Sequence, residues 1–464
     1  MEQWQSLRGY PLVLGVAILI LPAWCQGQLT AIPDLTPPQA ESARASQAIY
    51  NTLRAEGEQD ALPAGQQALF RRLEELVHTA NEQQAIPGEP TDRSLRVDEA
   101  ELAEALDWVA NEEAGSGSGL TVNAAHAQFS HVVQRLAMLQ AQETVVAHAG
   151  EHGDTVAFGA SEPFGGGAAG DRLAGPWGGF VLLSYGRVER DPTDRENAYD
   201  ADQFGITAGV DYRVSDSLVA GVSLGYRRAE LDFDDSRSVV DGDMTGDTFA
   251  FSGYALYEEE DFYLTSILTL GRMDIDLKRG IIYRSDNPDV PDTDETAVSS
   301  TAGNYLLLGV GGGYQFDLEP MRIGPVARLD LLRVELDSYR ERQAGPFNLD
   351  VSRQNVDSLR SSLGMEASYP VATGFGVLIP QFRAEWHHEF RGGRRDVESR
   401  FVDDPQETRF VASGDRPDRN FYSISAALTA ILPHGWQAFA QAETLLGMRH
   451  TSAYNLTAGA RLEF

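Results

Sequence analysis

One short motif in the sequence has the residue types of a catalytic serine site. Residues 221–225 read GVSLG, which matches G-x-S-x-G, the pattern of a turn that exposes a nucleophilic serine. That chemistry requires a tight turn from a strand into a helix, whereas Ser223 lies inside an alternating segment that continues through Tyr226. We therefore predict that Ser223 is not a nucleophile and that the chain is not an enzyme.

Histidines and carboxylates are the other residues that could do chemistry. His148 and His152 are four residues apart, but they lie in a Gly-rich segment that does not favour a helix. His387 and His388 are adjacent, so they point to opposite sides of a predicted strand. The acidic run at 286–295 lacks the central glycine and the twelfth-position glutamate of an EF-hand loop. The sequence predicts no metal site and no cofactor.

Composition excludes further classes of function. The 464-residue chain has 69 acidic and 37 basic residues and a formal charge of −32. Nucleic-acid binding requires a basic surface, so we expect no nucleic-acid partner. Beyond the N-terminus, no segment approaches the roughly 20 apolar residues of a membrane-spanning helix.

The N-terminal segment has the pattern of a secretory signal. Arg8 precedes the apolar run PLVLGVAILILPAW, and small residues follow it. We predict a signal peptide over residues 1–27 that the Sec export machinery recognises. The only cysteine, Cys25, would leave with this signal.

Residues 28–147 form an acidic region with helical periodicity. Apolar residues recur every three to four positions in AGQQALFRRLEELVHTANEQ, VDEAELAEALDWVANEE and NAAHAQFSHVVQRLAMLQAQ. The sequence GSGSG at 115–119 predicts a flexible break between the last two helices. A Gly-rich linker is predicted over 148–174. From residue 28 to residue 174 there are 22 acidic and 8 basic side chains.

After the linker, the period of the apolar residues changes to two. In the last eleven residues, Tyr454, Leu456 and Ala458 alternate with polar or small residues. Twelve such strands are separated alternately by tight turns and longer charged loops, the pattern of an outer-membrane barrel. The predicted fold is mainly β, a 12-stranded antiparallel transmembrane β-barrel over 175–464 preceded by a small α-helical region. The predicted strands are 176–189, 200–215, 217–234, 244–258, 261–282, 299–317, 321–340, 353–370, 374–391, 420–432, 435–447 and 454–464.

Alternation also predicts which charged side chains face the lumen of this barrel. They could pair with one another or with polar positions on a helix in the lumen, or they could simply solvate a water-filled interior. The candidates are Asp211, Arg213, Arg328, Asp330, Arg383, Glu385, Glu443, Arg461 and Glu463.

Several of these segments resemble a known family. GPWGGFVLLSYG, FGITAGVDYRVSDSLVAGVSLGYRRAELDF and the ending FAQAETLLGMRHTSAYNLTAGARLEF are similar to the autotransporter β-barrel, or translocator, domain. The resemblance implies that the barrel-assembly machinery inserts the barrel by reading its last strand. The implied signal consists of Leu456, Ala458, Ala460, Leu462 and the terminal Phe464. It also implies a helix in the lumen, here residues 120–147, and export of the segment upstream.

These observations predict an autotransporter-type barrel in the outer membrane of a Gram-negative bacterium, in contact with outer-membrane lipid. It would translocate or anchor its own short helical segment, which would lie on the cell surface or in the lumen; a surface ligand is not identifiable. The alternative is a porin-like or structural barrel with a periplasmic helical domain.

Overall fold

The computed structural model describes residues 29–56, 59–111, 113–151, 175–234 and 241–464. The predicted signal peptide at 1–27 and residues 152–174 of the predicted linker lie outside the described residues.

Four α-helices precede the strands: α1 (Pro37–Ala55), α2 (Ala64–Gln83), α3 (Glu99–Val109) and α4 (Glu113–Glu151). Capping boxes begin two of them, with Thr36 and Gln39 at α1 and Asp98 and Glu101 at α3. The bounds of α2 are those predicted from its apolar periodicity. No helix in the described part of the chain is long and apolar enough to span a membrane.

Twelve antiparallel strands form a closed barrel, because the last strand pairs with the first in the register Gly178–Glu463 to Arg190–Thr451. This confirms the predicted fold class. The strands are β1 (Trp177–Arg190), β2 (Tyr199–Ser215), β3 (Leu218–Phe233), β4 (Gly242–Glu259), β5 (Phe262–Tyr283), β6 (Thr293–Tyr314), β7 (Met321–Leu336), β8 (Gln354–Ser368), β9 (Gly376–Glu389), β10 (Asn420–Ile431), β11 (Trp436–Leu446) and β12 (Thr451–Glu463).

The two ends of the barrel differ in their connections. At the short-turn end, tight connections join β2 to β3, β4 to β5, β6 to β7, β8 to β9 and β10 to β11. At the long-loop end, the connections are mostly longer, and that between β9 and β10 spans 390–419. A strand needs about 9–11 residues to cross a bilayer. Because β5 and β6 each have 22 residues, their long-loop halves extend beyond the crossing.

The outer face of the barrel is apolar, with exposed side chains such as Leu183, Leu224, Phe251 and Leu268. Aromatic residues form a belt on this face near each end, as is typical of a barrel in lipid. The belt at the short-turn end includes Trp177, Tyr212, Tyr369 and Trp436, and the other includes Tyr185, Trp386, Tyr422 and Tyr454.

Helices α1–α3, with the segments between them, form a cap (29–111) that packs on the long loops. Strands too short to be predicted form a four-stranded sheet in these loops: Tyr339–Arg340, Leu349–Val351, Asp396–Phe401 and Phe410–Ser413. Phe347, Phe401 and Phe410 of the loops join the core that contains Leu69 and Leu102 of the cap. The loop between β9 and β10 is therefore structured, although the sequence predicted only a long connection.

Helix α4 lies in the lumen and is longer than predicted at both ends. It begins at Glu113 rather than near residue 120, and its last four residues, 148–151, belong to the predicted linker. The predicted break at 115–119 is wrong, because these residues are helical. At the mouth of the barrel, a Cβ at Gly119 would lie 2.7 Å from Nη1 of Arg395, so the small residue lets the helix pass close to the loop.

Candidate functional site

Helix α4 runs through the lumen from the long-loop end to the short-turn end. Near its start, the side chain of Gln354, the first residue of β8, donates to the carbonyl of Ala114 at 3.3 Å. Further along, Arg135 contacts Asp211, which lies close to the turn that ends β2. The helix packs mainly along β3 to β7. The site is therefore a lumen occupied on one side by the protein's own helix.

The barrel wall contains glycines where the helix approaches it most closely. A Cβ at Gly309 would lie 2.3 Å from the ring of Phe129, a distance that real Cβ atoms do not adopt. A Cβ at Gly225 would lie 2.2 Å from the side-chain oxygen of Gln128. Larger residues at these positions would force the helix side chains to move.

A buried ion pair joins the helix to the wall near the short-turn end. The Nε of Arg135 donates to Oδ2 of Asp211 at 2.8 Å, and the hydroxyl of Tyr254 donates to the same oxygen at 3.3 Å. Arg461 of β12 lies 3.5 Å from Oδ1. The side chains of Arg135, Asp211 and Arg461 are at most 2% exposed. An ion pair so deeply buried depends strongly on both partners, because either charge alone would be uncompensated.

A second polar contact set lies midway along α4. Arg227 of β3 contacts Nε2 of His131 at 3.4 Å and the hydroxyl of Ser184 at 3.2 Å. Since an arginine only donates, Nε2 accepts and the proton of His131 is on Nδ1. Nδ1 then donates to the hydroxyl of Thr207 at 2.7 Å, and this hydroxyl donates to Gln128 at 3.1 Å. These contacts fix the rotation of the helix in the lumen.

Toward the long-loop end, two arginines of the wall contact the helix. The guanidinium of Arg328 lies 5.5 Å from the centre of the Phe129 ring, a cation–π geometry. Arg360 donates to Nδ1 of His126 at 2.6 Å. Polar contacts of this kind therefore occur at several levels of the lumen.

The nine charged residues predicted to face the lumen all lie on the less exposed face of their strands. Asp211, Asp330, Glu385 and Arg461 are buried, and the other five are half-buried. Arg328 pairs with Asp330 at 3.0 Å, and Arg461 pairs with Glu463 at 2.8 Å. Arg383 pairs with Glu366, Glu443 accepts from Gln441 at 3.3 Å, and Arg213 lies near the turn that ends β2.

The sequence did not identify Arg135 as a partner of these residues. Its position contained a signal, because Val132, Arg135, Leu136 and Leu139 fall on one face of the helix. A charged residue within an apolar face that becomes buried requires a counter-charge. The identity of that counter-charge depends on the fold, since Arg135 and Asp211 are 76 residues apart.

The last strand has an outward apolar face. Leu456, Ala458 and Ala460 are exposed, Leu462 is half-exposed, and Phe464 is 60% exposed. Phe464 follows the last residue of β12, and its backbone N–H donates to the carbonyl of Trp177 at 3.0 Å. These residues lie at the seam where β12 and β1 close the barrel.

Arg279 of β5 connects the cap to the barrel at the long-loop end. It forms a two-bond ion pair with Glu341 of the loop after β7, at 3.0 and 2.7 Å, and also donates to the carbonyl of Trp108 at 3.0 Å. The backbone N–H of Leu349 donates to Glu341 at 2.9 Å. One buried guanidinium therefore holds a strand, a loop and the end of α3 together.

Two carboxyl groups at this junction, the buried Glu113 and the half-buried Asp107, have altered acidity. Burial raises the pKa of Glu113, at the start of α4, to about 7, although Arg279 opposes the shift. Burial also raises the pKa of Asp107 in α3 to about 6, against the hydrogen bond from Gln39. In the described residues no group of three or more His, Cys, Asp or Glu side chains is arranged to hold a metal ion.

Comparisons with known proteins identify relatives of the barrel. The family model described as the autotransporter beta-domain matches residues 179–443. The translocator domain of the autotransporter NalP from Neisseria meningitidis has a TM-score of 0.50 and 14% identity, and the match covers 74% of this chain and 98% of that domain. This second match establishes similarity of fold alone.

Curated relatives include proteins named for an enzymatic activity. Esterase EstA of Pseudomonas aeruginosa is 28% identical over 219 residues, which are 46% of this chain and 31% of the relative. Lipase 1 of Photorhabdus luminescens is 21% identical over 267 residues, which are 56% of this chain and 38% of the relative. The chain therefore matches only about a third of the length of these relatives.

Proposed function

Because this chain belongs to the autotransporter family, we propose that its barrel carries its own N-terminal helical part to the cell surface and retains it there as a cap. The chain is an outer-membrane β-barrel of a Gram-negative bacterium with a translocator role. The family match does not favour the porin-like alternative, in which the helical part stays in the periplasm.

The route of the chain through the barrel is the observation that supports this proposal. The cap contacts the long loops, α4 enters the lumen at that end, and β1 begins at the short-turn end. In outer-membrane barrels, long loops are extracellular and short turns are periplasmic. A cap on the long loops, connected by a helix through the lumen, therefore corresponds to an exported segment that remains attached.

Within this function, α4 acts as a plug, and the lumen-facing charges position it. Asp211 pairs directly with Arg135 of the helix, and Arg328 stacks on Phe129. The remaining predicted lumen residues pair mostly with one another. The charged lining thus contributes both to holding the helix and to a polar interior.

Insertion of the barrel would depend on its last strand and on partners of the cell envelope. We propose that Sec delivers the chain and that the barrel-assembly machinery recognises Phe464 with Leu456, Ala458, Ala460 and Leu462. The exposure of the Phe464 ring beyond β12 supports this role. Deleting Phe464 should reduce the heat-modifiable, folded barrel without changing export to the periplasm. An unchanged folded fraction would contradict the recognition role.

We also propose that the cap is structural and not enzymatic. The buried imidazole of His78 in the cap contacts the hydroxyl of Tyr50 at 3.4 Å and the backbone N–H of Arg93 at 3.2 Å, so its ring nitrogens have structural partners. The relatives named esterase and lipase are about three times as long as the segments that match. Intact cells expressing the chain should hydrolyse p-nitrophenyl esters no faster than cells with an empty vector.

Protease shaving of intact cells tests the location of the cap. An epitope tag is inserted after Gln28, and a matched control tag is inserted in the turn at 260–261 of the short-turn end. Loss of the first tag from intact cells, with the second protected until the outer membrane is permeabilised, is the expected result. Protection of both tags in intact cells would place the cap inside and contradict the proposal.

A further inference from the structure

Helix α4 does not fill the lumen, and the space beside it extends from the short-turn end, at Arg322 and Ser368, to the long loops. A cavity of about 850 Å³ lies between one face of the helix and the wall formed by β7 to β12, β1 and β2. Ligand-binding pockets in proteins commonly have volumes of about 300–1,000 Å³. The space is therefore large enough for a small organic ligand.

Four arginines of the loop between β9 and β10 line the opening of this cavity. They are Arg391, Arg394, Arg395 and Arg416, here named the vestibule arginines. Within the described part of the chain, none of them forms an ion pair. The Nε of Arg395 is buried and lacks a hydrogen-bond partner among the described residues. Many other arginines of the chain do form ion pairs. Arg449 at the same opening, for example, pairs with Asp418 at 2.7 Å.

Several carboxylates near the opening have partners of their own, whereas Asp357, which also lines the cavity, forms no ion pair with the described residues. Arg190 contacts both Glu196 and Asp415, and Asp418 holds Arg449. The side chain of Asp396 accepts from Ser413 at 2.6 Å. The opening therefore presents uncommitted donors but few uncommitted acceptors, in a chain whose formal charge is −32.

We propose that the vestibule arginines bind a soluble ligand that bears two or more phosphate or sulfate groups, such as a phosphorylated or sulfated sugar. The planar guanidinium group matches such oxyanions through paired N–H donors. Several arginines on a low-dielectric cleft also concentrate anions there, even when the protein is acidic overall. This inference does not depend on whether the cap is exported.

A soluble ligand fits the position of these arginines better than a lipid headgroup does. The vestibule arginines line the cavity inside the ring of long loops. Arginines that face outward on the strands, such as Arg272 and Arg333, are paired with the neighbouring Asp274 and Glu335. The unpaired cations therefore face the lumen and not the surrounding membrane.

Calorimetric titration of the detergent-solubilised full-length chain with inorganic triphosphate tests the proposal. The test variant is Arg394→Gln with Arg416→Gln, two exposed loop residues whose replacement should not affect folding. The control is Arg272→Gln with Arg333→Gln, which removes the same charge from the outer wall. Heat modifiability on gels verifies that each barrel is folded.

We expect triphosphate to bind the wild type and the control with equal affinity and the test variant at least about tenfold more weakly. Rising salt should weaken the binding to the wild type. Absence of binding to the folded wild type, or equal losses in both variants, would overturn the proposal. It would also be overturned if the wild type copurified with more phosphate-bearing lipid than the test variant and triphosphate did not displace that lipid.

Discussion

The lumen helix and the cap belong to the same N-terminal region, but they differ in the balance of polar and apolar contacts that attach them to the barrel. Helix α4 contributes apolar side chains such as Leu136 to a core that it shares with the wall, and it also contacts the wall through buried polar pairs, such as Arg135 with Asp211 and His131 with Thr207. The cap shares one apolar core with the long loops, to which Leu69 and Phe401 contribute. The attachment of α4 should therefore be sensitive to single charges, whereas that of the cap is spread over many contacts, with Arg279 as the main exception.

The strongest test of this difference is the substitution Asp211→Leu. It leaves the buried guanidinium of Arg135 without its carboxylate, which should cost about 3–5 kcal/mol of the free energy that holds α4 in the lumen. The measurement is the reaction rate of a thiol at Ala124→Cys, a buried position on α4, in a Cys25→Ser background. We expect a large increase in labelling and a higher ion conductance in planar bilayers.

The matched control is the double variant Arg135→Leu with Asp211→Leu, which removes both charges. Because no buried charge is then left unpaired, labelling should return most of the way to the wild-type rate. Equal labelling of the single and double variants would show that burial of an unpaired charge is not what displaces the helix.

A single substitution should weaken the docking of the cap strongly only where it affects a buried charge. Glu341→Gln weakens the ion pair with Arg279, and we expect the docking of the cap to lose about 2–4 kcal/mol. The rate at which protease removes the cap from barrels in proteoliposomes measures this. The control, Glu335→Gln, disrupts a surface pair with Arg333 that should contribute at most about 1 kcal/mol. A similar effect of both substitutions would contradict the special role of Arg279.

The same difference explains which features the sequence could predict. Alternation along each strand gives the twelve strands, because lipid and lumen impose opposite polarity on successive residues. The periodicity of α2 gives its bounds, because its apolar face is local to the helix. The start of α4 could not be predicted, since its glycines and serines disfavour a helix and only enclosure by the barrel favours one. The pairing of Arg135 with Asp211 and the short strands in the loops likewise depend on distant contacts.

The docking of the cap should also depend on pH through Glu113. With a pKa of about 7 when docked and an ordinary value of 4.5, the docked state retains a proton that the undocked state releases. Docking is therefore strongest below about pH 4.5, weakens as the pH rises toward 7, and is constant above that. The charges of Glu341 and Asp107 also raise the pKa of Glu113, whereas the charge of Arg279 lowers it.

Protease sensitivity of the cap measured from pH 4.5 to 8 tests this dependence. Glu113→Gln should make the profile shallower, with the part due to Asp107 remaining, and strengthen docking at pH 8 by about 2–3 kcal/mol, since the neutral amide cannot ionise. Glu99→Gln, at an exposed position of α3, is the control and should leave the profile unchanged. A profile that Glu113→Gln does not alter would assign the pH dependence to other groups.

The smallest expected effect concerns steric fit in the lumen, where the substitution removes no charge. Gly309→Ala places a Cβ within 2.3 Å of the Phe129 ring, so the ring must move, and α4 should be held less tightly by about 1–3 kcal/mol. Gly253→Ala is the matched control, because a Cβ there would have no atom within 4 Å. The thiol at position 124 should therefore react faster in the first variant and at the wild-type rate in the second. If both variants behave like the wild type, the polar pairs alone hold α4, and close packing against the wall contributes little to its position.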